Sequence, residues 1–266
     1  MRSLRPVSIV LSFVLLAVVA ALPVPASEDG PRPSHYGRTG PPDVSQVSST
    51  KIDSASVSPT VGALFVDGSH YCSASVVHSP RGDLVLTAAH CIHEGDGGDY
   101  RTGVTFVPGY HDGTAPYGVW TATQLIVDHR WADSSDSDLD VGFLVVHQAG
   151  NPRPLESETG ANQLGTNHGF VNTVVLSGYS DDSEEPTACR NVTGRQDSYQ
   201  MRIDCPGFQD GTSGGPWVTG AASASDVGTV IGVIGGYQLG GDSPDVSYSS
   251  YFDDDIAALY AEAADS

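Results

Sequence analysis

The chain has 266 residues, of which 32 are Asp or Glu and 12 are Lys or Arg, so its formal net charge at pH 7 is -20. A surface this negative repels nucleic-acid phosphates and anionic membranes, which argues against partners of either kind. Charged residues make up 17% of the chain, while Gly occurs 31 times and Pro 17 times. This composition excludes a coiled coil and favours a turn-rich globular protein.

The first 26 residues have the pattern of an export signal. Arg2 and Arg5 precede an almost continuous apolar run over 7–22, and small residues at 24–26 offer a cleavage site. The run is short for a membrane anchor, which needs about 20 residues, so we interpret 1–26 as a secretory signal peptide. This predicts a secreted, extracellular protein that is free of the membrane after cleavage and resides where disulfides form.

The chain changes character near residue 59. Residues 27–58 are rich in Pro, Ser, Gly and Asp, which is typical of an N-terminal extension, a pro-segment or a linker. From residue 59 onward, short apolar segments alternate with turn-forming residues. This pattern predicts β-strands over 61–66, 72–77, 84–87, 104–107, 120–127, 141–146, 170–176, 200–204, 216–218 and 227–234.

The last predicted element is a helix. Three aspartates at 253–255 precede an Ala-rich segment. Acidic side chains stabilise a helix N-terminus and alanine propagates the helix, so we expect an amphipathic helix over 253–264. With the strands, this predicts an all-β fold that ends in one helix.

Three segments contain residues that nucleophilic catalysis requires. Their sequences are Thr87-Ala88-Ala89-His90-Cys91, Asp138-Leu139-Asp140-Val141 and Gly211-Thr212-Ser213-Gly214-Gly215-Pro216. A serine nucleophile needs a histidine to accept its proton and a buried carboxylate to orient that histidine. It also needs backbone N–H donors for the oxyanion, and neighbouring glycines permit the tight turn that aims two amides at one point.

In the order His, Asp, Ser, these segments resemble the trypsin-like, chymotrypsin-fold serine proteases, and most closely their bacterial secreted members. The resemblance implies two six-stranded antiparallel β-barrels in a protease domain over 59–266, with a boundary between the barrels near 150–165. It implies that His90 is the general base, that Asp140 orients it and that Ser213 attacks the substrate. The amides of Gly211 and Ser213 would form the oxyanion hole.

The activity that the resemblance implies is that of a serine endopeptidase acting through an acyl-enzyme, without a cofactor. We expect a protein or peptide substrate and a monomeric enzyme. The alternative is a secreted binding protein that kept this fold and lost catalysis. The presence of His90, Asp140 and Ser213 together favours the enzyme.

The aspartate assignment has an alternative. Asp136, Asp138 and Asp140 are two residues apart, so in a strand they would face the same side. Asp140 directly precedes the apolar segment 141–146, as suits a carboxylate that enters the core. We therefore favour Asp140 and keep Asp138 as the alternative.

Two other kinds of site fit the sequence less well. Residues 211–215 also match the Gly-x-Ser-x-Gly elbow of α/β-hydrolases, a fold that places its histidine after the serine. All nine histidines precede Ser213, which excludes that interpretation. His90 and His93 could be zinc ligands, but the segment lacks His-Glu-x-x-His and paired Cys-x-x-Cys patterns, so we expect no metal.

Four cysteines allow three disulfide connectivities. The resemblance implies a disulfide beside the catalytic histidine, between Cys72 and Cys91. We expect the second bond between Cys189 and Cys205, a pair for which the resemblance supplies no clear counterpart.

Thr212 departs from the resemblance. In zymogen-type members an aspartate precedes the nucleophile and forms an ion pair with the new N-terminal amine after activation cleavage. A threonine cannot form that ion pair, so we expect this activation switch to be absent or different here.

The specificity pocket is also placed by the resemblance. Gly207 corresponds to its base, where no acidic residue stands, so a preference for Lys or Arg is not supported. The other pocket residues that the resemblance implies are Phe208, Ile234, Gly235, Gly236 and Tyr237. We expect a neutral or apolar preference.

Overall fold

The computed structural model describes residues 49–51, 53, 56 and 58–266. The predicted signal peptide (1–26) and residues 27–48 of the predicted extension lie outside the described residues. The helices are α1 (His129–Ser134), α2 (Leu155–Thr159) and α3 (Asp254–Asp265). The strands are β1 (Ser49–Lys51), β2 (Val61–Val66), β3 (Ser69–Val76), β4 (Leu84–Thr87), β5 (Thr105–Pro108), β6 (Trp120–Val127), β7 (Gly142–His147), β8 (Gln163–Leu164), β9 (Thr173–Tyr179), β10 (Pro186–Val192), β11 (Gly194–Arg195), β12 (Gln200–Asp204), β13 (Pro216–Thr219), β14 (Thr229–Val233) and β15 (Val246–Ser250).

The first half of the fold is a closed six-stranded barrel with strand order β2-β3-β4-β7-β6-β5. All of its strand pairs are antiparallel. β4 is buried along its whole length, and β7 is buried except at its last residue, which is why both read as continuous apolar segments. Large buried side chains fill the barrel, among them Leu64, Leu86, Phe106, Trp120 and Phe143.

The second half forms two sheets in the described part of the chain. One has six strands in the order β1-β10-β9-β13-β14-β8, and the other has the order β11-β12-β15. Two hydrogen bonds join them beside β14: the Val233 N–H donates to the Ser249 hydroxyl on β15 at 3.0 Å, and the Gly235 N–H just after β14 donates to the Tyr248 carbonyl at 3.0 Å. The β fold and its first six-stranded barrel are confirmed, whereas a second closed barrel does not appear among the described residues.

Strand β1 comes from the segment predicted to be an extension. It pairs antiparallel with β10, with Ser49 opposite Cys189 and Lys51 opposite Thr187. This short part of 27–58 therefore belongs to the sheet of the second half.

The C-terminal helix is confirmed, as α3. It begins after Asp253, whose side chain accepts hydrogen bonds from the N–H groups of Asp255 and Ile256. Ile256, Leu259 and Ala263 lie on one face and are buried in the core around the barrel. None of the helices in the described residues is long and apolar enough to cross a bilayer.

Two disulfide bonds are present, as the sequence predicts. Cys72 is bonded to Cys91 and Cys189 to Cys205, with Cα–Cα distances of 6.1 and 5.9 Å. The first joins β3 to the turn that contains His90. The second joins β10 to the residue after β12, and so connects the two sheets of the second half.

We expect the Cys189→Ala/Cys205→Ala double variant to lose about 3 kcal/mol of unfolding free energy, because the bond closes a loop with a sequence separation of 16. Urea unfolding of the variant and of the wild type measures this. An unchanged urea midpoint would show that the bond adds nothing to stability.

Candidate active site

His90 lies in a 3₁₀ turn, Ala89–Cys91, that directly follows β4. Ala88 and Ala89 are completely buried, and their small side chains let the turn pack on the barrel. The Cys91 end of the turn is tied to β3 by the disulfide to Cys72. The two sulfurs lie within 4.8 Å of a His90 ring nitrogen, but in a disulfide they are not the thiolates that bind metals.

Asp140 follows a 3₁₀ turn, Ser137–Leu139, and precedes β7. Its side chain is 0% exposed, whereas that of His90 is 17% exposed. The Asp140 carboxylate accepts three hydrogen bonds, at 2.8 Å from His90 Nδ1, at 2.9 Å from the His90 backbone N–H and at 2.8 Å from the Gly236 N–H. A buried carboxylate with these donors holds the imidazole in one orientation and keeps its proton on Nδ1.

Asp138 lies in a different environment. Its carboxylate accepts a hydrogen bond from the Gln200 side-chain amide at 2.8 Å. Partial burial raises the pKa of the Asp138 carboxyl above its usual value, which the Gln200 hydrogen bond opposes. Of the two aspartates that the sequence left open, Asp140 is the one in contact with His90.

Ser213 lies in the loop between β12 and β13. The first half of the fold positions this loop through Ser73, a buried residue of β3. The Ser73 N–H donates to the Ser213 carbonyl at 2.7 Å, and the Ser73 hydroxyl donates to the Gly211 carbonyl at 3.1 Å. Gly214 has a φ of +80°, and a Cβ there would collide with Thr87 Oγ1 and Ser73 O, so only glycine lets the loop approach the barrel this closely.

The backbone N–H groups of residues 211–215 fall into two sets. Those of Thr212, Gly214 and Gly215 donate to the carbonyls of Gln209, Ile234 and Thr212. Those of Gly211 and Ser213 donate to no partner among the described residues. Gly211 has a φ of +91°, a conformation that favours glycine. Within residues 211–215, the two amides predicted to form an oxyanion hole are thus the ones without an acceptor among the described residues.

A cleft of about 640 Å³ contains His90 and Ser213 in its lining. Of the predicted pocket residues, Phe208 and Ile234 also line it, and Gly207, Gly235, Gly236 and Tyr237 do not. Gly235 and Gly236 lie behind the cleft instead, against Asp140. Three carboxylates line the cleft, and no Lys or Arg of the described chain does; they are Asp181, Asp210 and Asp242.

Sequence reasoning missed the polar residues that support the site. Gln200 donates to Ser137 O and Asp138 Oδ1 and accepts from the Tyr237 N–H. The Ser250 hydroxyl donates to the same Ser137 carbonyl. These contacts join residues more than 35 positions apart, and a lone Ser or Gln in a strand has no sequence pattern that would mark it.

Three comparisons place this geometry among known proteins. The family model described as the trypsin-like peptidase domain matches residues 72–233. The solved structure of protease Anisep from Arthrobacter nicotinovorans is 29% identical with a TM-score of 0.72, over 82% of this chain and 100% of that one. The thermostable serine protease AL20 from an extremophilic microorganism is 26% identical with a TM-score of 0.71, over 80% and 99%.

A shorter match is to a Bacillus subtilis (strain 168) protein named extracellular metalloprotease. It is 31% identical over 62 residues, which are 23% of this chain and 20% of that relative. The chain thus spans about a fifth of the length of this curated relative. The family match, by contrast, includes His90, Asp140 and the Ser213 loop, and it covers more than half of the sequence. This chain belongs to the trypsin-like peptidase family.

Proposed function

We propose that this chain is a secreted serine endopeptidase that hydrolyses polypeptides through an acyl-enzyme on Ser213. One observation carries the proposal. The buried Asp140 holds His90 at the cleft that also contains Ser213, and the Gly211 and Ser213 amides beside it are uncommitted.

In the first half of the reaction, Ser213 Oγ attacks the carbonyl carbon of the scissile bond while His90 Nε2 accepts the hydroxyl proton. The N–H groups of Gly211 and Ser213 stabilise the negative charge on the carbonyl oxygen. His90 then gives the proton to the departing amine as the C–N bond breaks. Asp140 stabilises the imidazolium throughout, because its carboxylate accepts the Nδ1 hydrogen bond at 2.8 Å.

In the second half, a water molecule replaces the amine. His90 accepts a proton from the water as its oxygen attacks the ester carbonyl of the acyl-enzyme. The C–O bond to Ser213 breaks, His90 returns the proton to Ser213 Oγ, and the carboxylic acid product leaves. These steps need no cofactor.

The two halves of the substrate occupy opposite sides of Ser213. Phe208 and Ile234 line the larger cleft and belong to the segments that the family resemblance assigns to the specificity pocket. The acyl half of the substrate therefore binds there. The carboxylates of Asp181, Asp210 and Asp242 repel an acidic side chain on this side, and Phe208 and Ile234 suit the neutral or apolar side chain that we expect.

Secretion is supported by the two disulfides, which form in oxidising compartments. We assign 1–26 to a cleaved signal peptide, 27–58 to an extension and 59–266 to a monomeric protease domain with two halves that meet near 150–165. N-terminal sequencing of the protein from culture medium should give a start at or after Ser27 and at or before Ser49, since β1 is part of the sheet. A start at Met1 would contradict export by this signal.

A fluorophosphonate probe tests the enzyme directly, since it labels only an activated serine. We expect the native protein to be labelled once, at Ser213, as mapped by mass spectrometry of tryptic or acid-cleaved fragments. Urea-unfolded protein is the control and should stay unlabelled. No labelling of the native protein would contradict the proposal and favour the alternative, a secreted binding protein on the same fold.

A further inference from the structure

A second recess lies on the other side of Ser213. It has a volume of about 420 Å³ and shares His90, Asp210 and Ser213 with the main cleft. The rest of its wall comes largely from the first half of the fold, including Ser69, Tyr71, Cys72 and Arg101. Since the acyl half of the substrate is assigned to the main cleft, the leaving half must run across this recess.

Arg101 is the one cation that lines this recess in the described chain besides the histidine. Its guanidinium lies over the Tyr71 ring, 5.1 Å from the ring centroid. The Tyr71 hydroxyl donates to the Cys91 carbonyl at 2.8 Å, and Cys91 is bonded to Cys72. Arg101 thus rests on a side chain that is anchored to the turn containing His90.

Burial raises the pKa of the Tyr71 hydroxyl to about 12, while the Arg101 charge acts to lower it. Tyr71 therefore stays neutral over the whole physiological pH range. A neutral ring face attracts the guanidinium through its quadrupole and leaves its full positive charge available to a ligand.

Arg101 has no carboxylate partner in the described chain. Four other arginines do have a carboxylate oxygen within 4.0 Å, and they are Arg81, Arg130, Arg153 and Arg202. Asp210 also lines the recess but does not approach Arg101 within that distance. The chain has 32 acidic residues, yet none of those described pairs with Arg101. Arg101 is exposed, rests on the Tyr71 ring and lies in the same recess as Ser213. Its guanidinium is therefore free to bind an anionic group of a ligand.

The charges on the two sides of Ser213 differ in sign. The main cleft has Asp181 and Asp242 in addition to the shared Asp210, whereas the recess has Arg101. A substrate carboxylate is repelled on the acyl side and attracted on the leaving side.

We propose that Arg101 binds a carboxylate in the leaving half of the substrate, within about two residues of the scissile bond, so that the enzyme prefers substrates acidic on that side. The proposal rests on the proposed function. The carboxylate comes from an Asp or Glu side chain or from the chain terminus of a short substrate, and both present the planar group that a guanidinium binds with two hydrogen bonds.

The test begins with a peptide that the wild type cleaves, identified from a library. Versions of it carry Glu, Gln or Lys at the first or second residue after the scissile bond, with an amidated C-terminus. We expect kcat/KM to be about fivefold higher for Glu than for Gln, the upper range for an exposed ion pair, and the ratio to fall at 0.5 M salt. A second series has Gln at these positions and a free terminal carboxylate there, which separates the two sources.

Arginine variants make the test specific. Arg101→Gln should bring the Glu/Gln ratio to about one, Arg101→Lys should keep part of it, and Arg101→Glu should favour the Lys peptide. Arg190→Gln is the matched control, since Arg190 is also exposed and also lacks a carboxylate within 4.0 Å in the described chain, but it lies on β10, away from the recess. Its ratio should equal that of the wild type.

The outcomes separate the two proposals. If the fluorophosphonate probe labels Ser213 but neither a Glu side chain nor a free terminus is preferred, or the preference survives in Arg101→Gln, the role of Arg101 is wrong and the protease stands. If native protein is not labelled and no library peptide is cleaved, both proposals fail.

Discussion

Replacing Ser213 by alanine should lower kcat for peptide hydrolysis by about 10⁶, the scale found when a serine nucleophile is removed from such a triad. The remaining rate comes from binding and from the amides of Gly211 and Ser213. The Ser213 hydroxyl makes no hydrogen bond within the described chain, so its loss should not alter stability. Hydrolysis of a fluorogenic peptide by the variant, together with its urea unfolding curve, measures both effects.

Ser225→Ala is the control for this variant. Ser225 is an exposed serine in the loop between β13 and β14 and lies outside both the cleft and the recess. Its substitution should leave kcat and probe labelling as in the wild type. Retention of more than a tenth of the wild-type kcat by Ser213→Ala would show that another group is the nucleophile.

Replacing Asp140 by asparagine should lower kcat by about 10⁴, the loss expected when the carboxylate of a triad becomes an amide. Of the three donors that now converge on the carboxylate, the His90 backbone N–H meets Oδ1, and His90 Nδ1 and the Gly236 N–H both meet Oδ2, so the NH₂ group of an asparagine would face one or two donors. If it turns its oxygen to the backbone N–H of His90, its NH₂ group faces Nδ1 and shifts the imidazole proton to Nε2. Nε2 could then no longer accept the Ser213 proton.

Asp138→Asn provides a matched comparison two residues away. Its carboxylate contacts Gln200 and not His90, and an asparagine oxygen can still accept that hydrogen bond. We therefore expect little change in kcat for Asp138→Asn under conditions where Asp140→Asn is nearly inactive. The reverse result would show that the contact seen between Asp140 and His90 is not the one used in catalysis.

The strands that sequence patterns identified are those with strong apolar character. Segments 61–66, 120–127 and 200–204 agree with β2, β6 and β12 to the residue. β10 and β15 were missed, because Pro186–Val192 and Val246–Ser250 contain few large apolar side chains. β10 is held by pairing with β9 along its whole length and by the Cys189 disulfide, and β15 by buried serines such as Ser249. Both depend on partners distant in sequence.

The second barrel could not be judged from the sequence for a related reason. The number of strands and the family resemblance suggest that the second half is a closed barrel. A barrel closes only if backbone hydrogen bonds continue between every pair of neighbouring strands. Beside β15, the Ser249 hydroxyl accepts the Val233 N–H, and the Tyr248 carbonyl accepts the Gly235 N–H just after β14. A join of this kind, with one side-chain and one backbone acceptor, has no signature in residue patterns because it forms only when the two strands meet.

The net charge of the chain does not show how charged side chains are distributed around Ser213. A net charge of -20 predicts a negative surface everywhere. In the folded chain, Asp181 and Asp242 line only the main cleft, Asp210 lines both the cleft and the recess, and Arg101, which has no carboxylate within 4.0 Å in the described chain, lines only the recess. No sequence pattern marks Arg101, and its position over Tyr71 in the recess that also contains Ser213 follows from the packing of the first half of the fold.

By itself, the sequence determined the kind of fold, the C-terminal helix and the residue types at the active site, because strand periodicity, helix propensity and the motifs around His90 and Ser213 are local patterns. The tertiary structure decided which aspartate meets His90, which amides stay free and which charges face the substrate. Those properties arise from side chains and backbone groups brought within about 3 Å of one another from distant parts of the chain, as His90 and Asp140 are across 50 positions. No local pattern specifies such distances, because each depends on the packing of the whole domain.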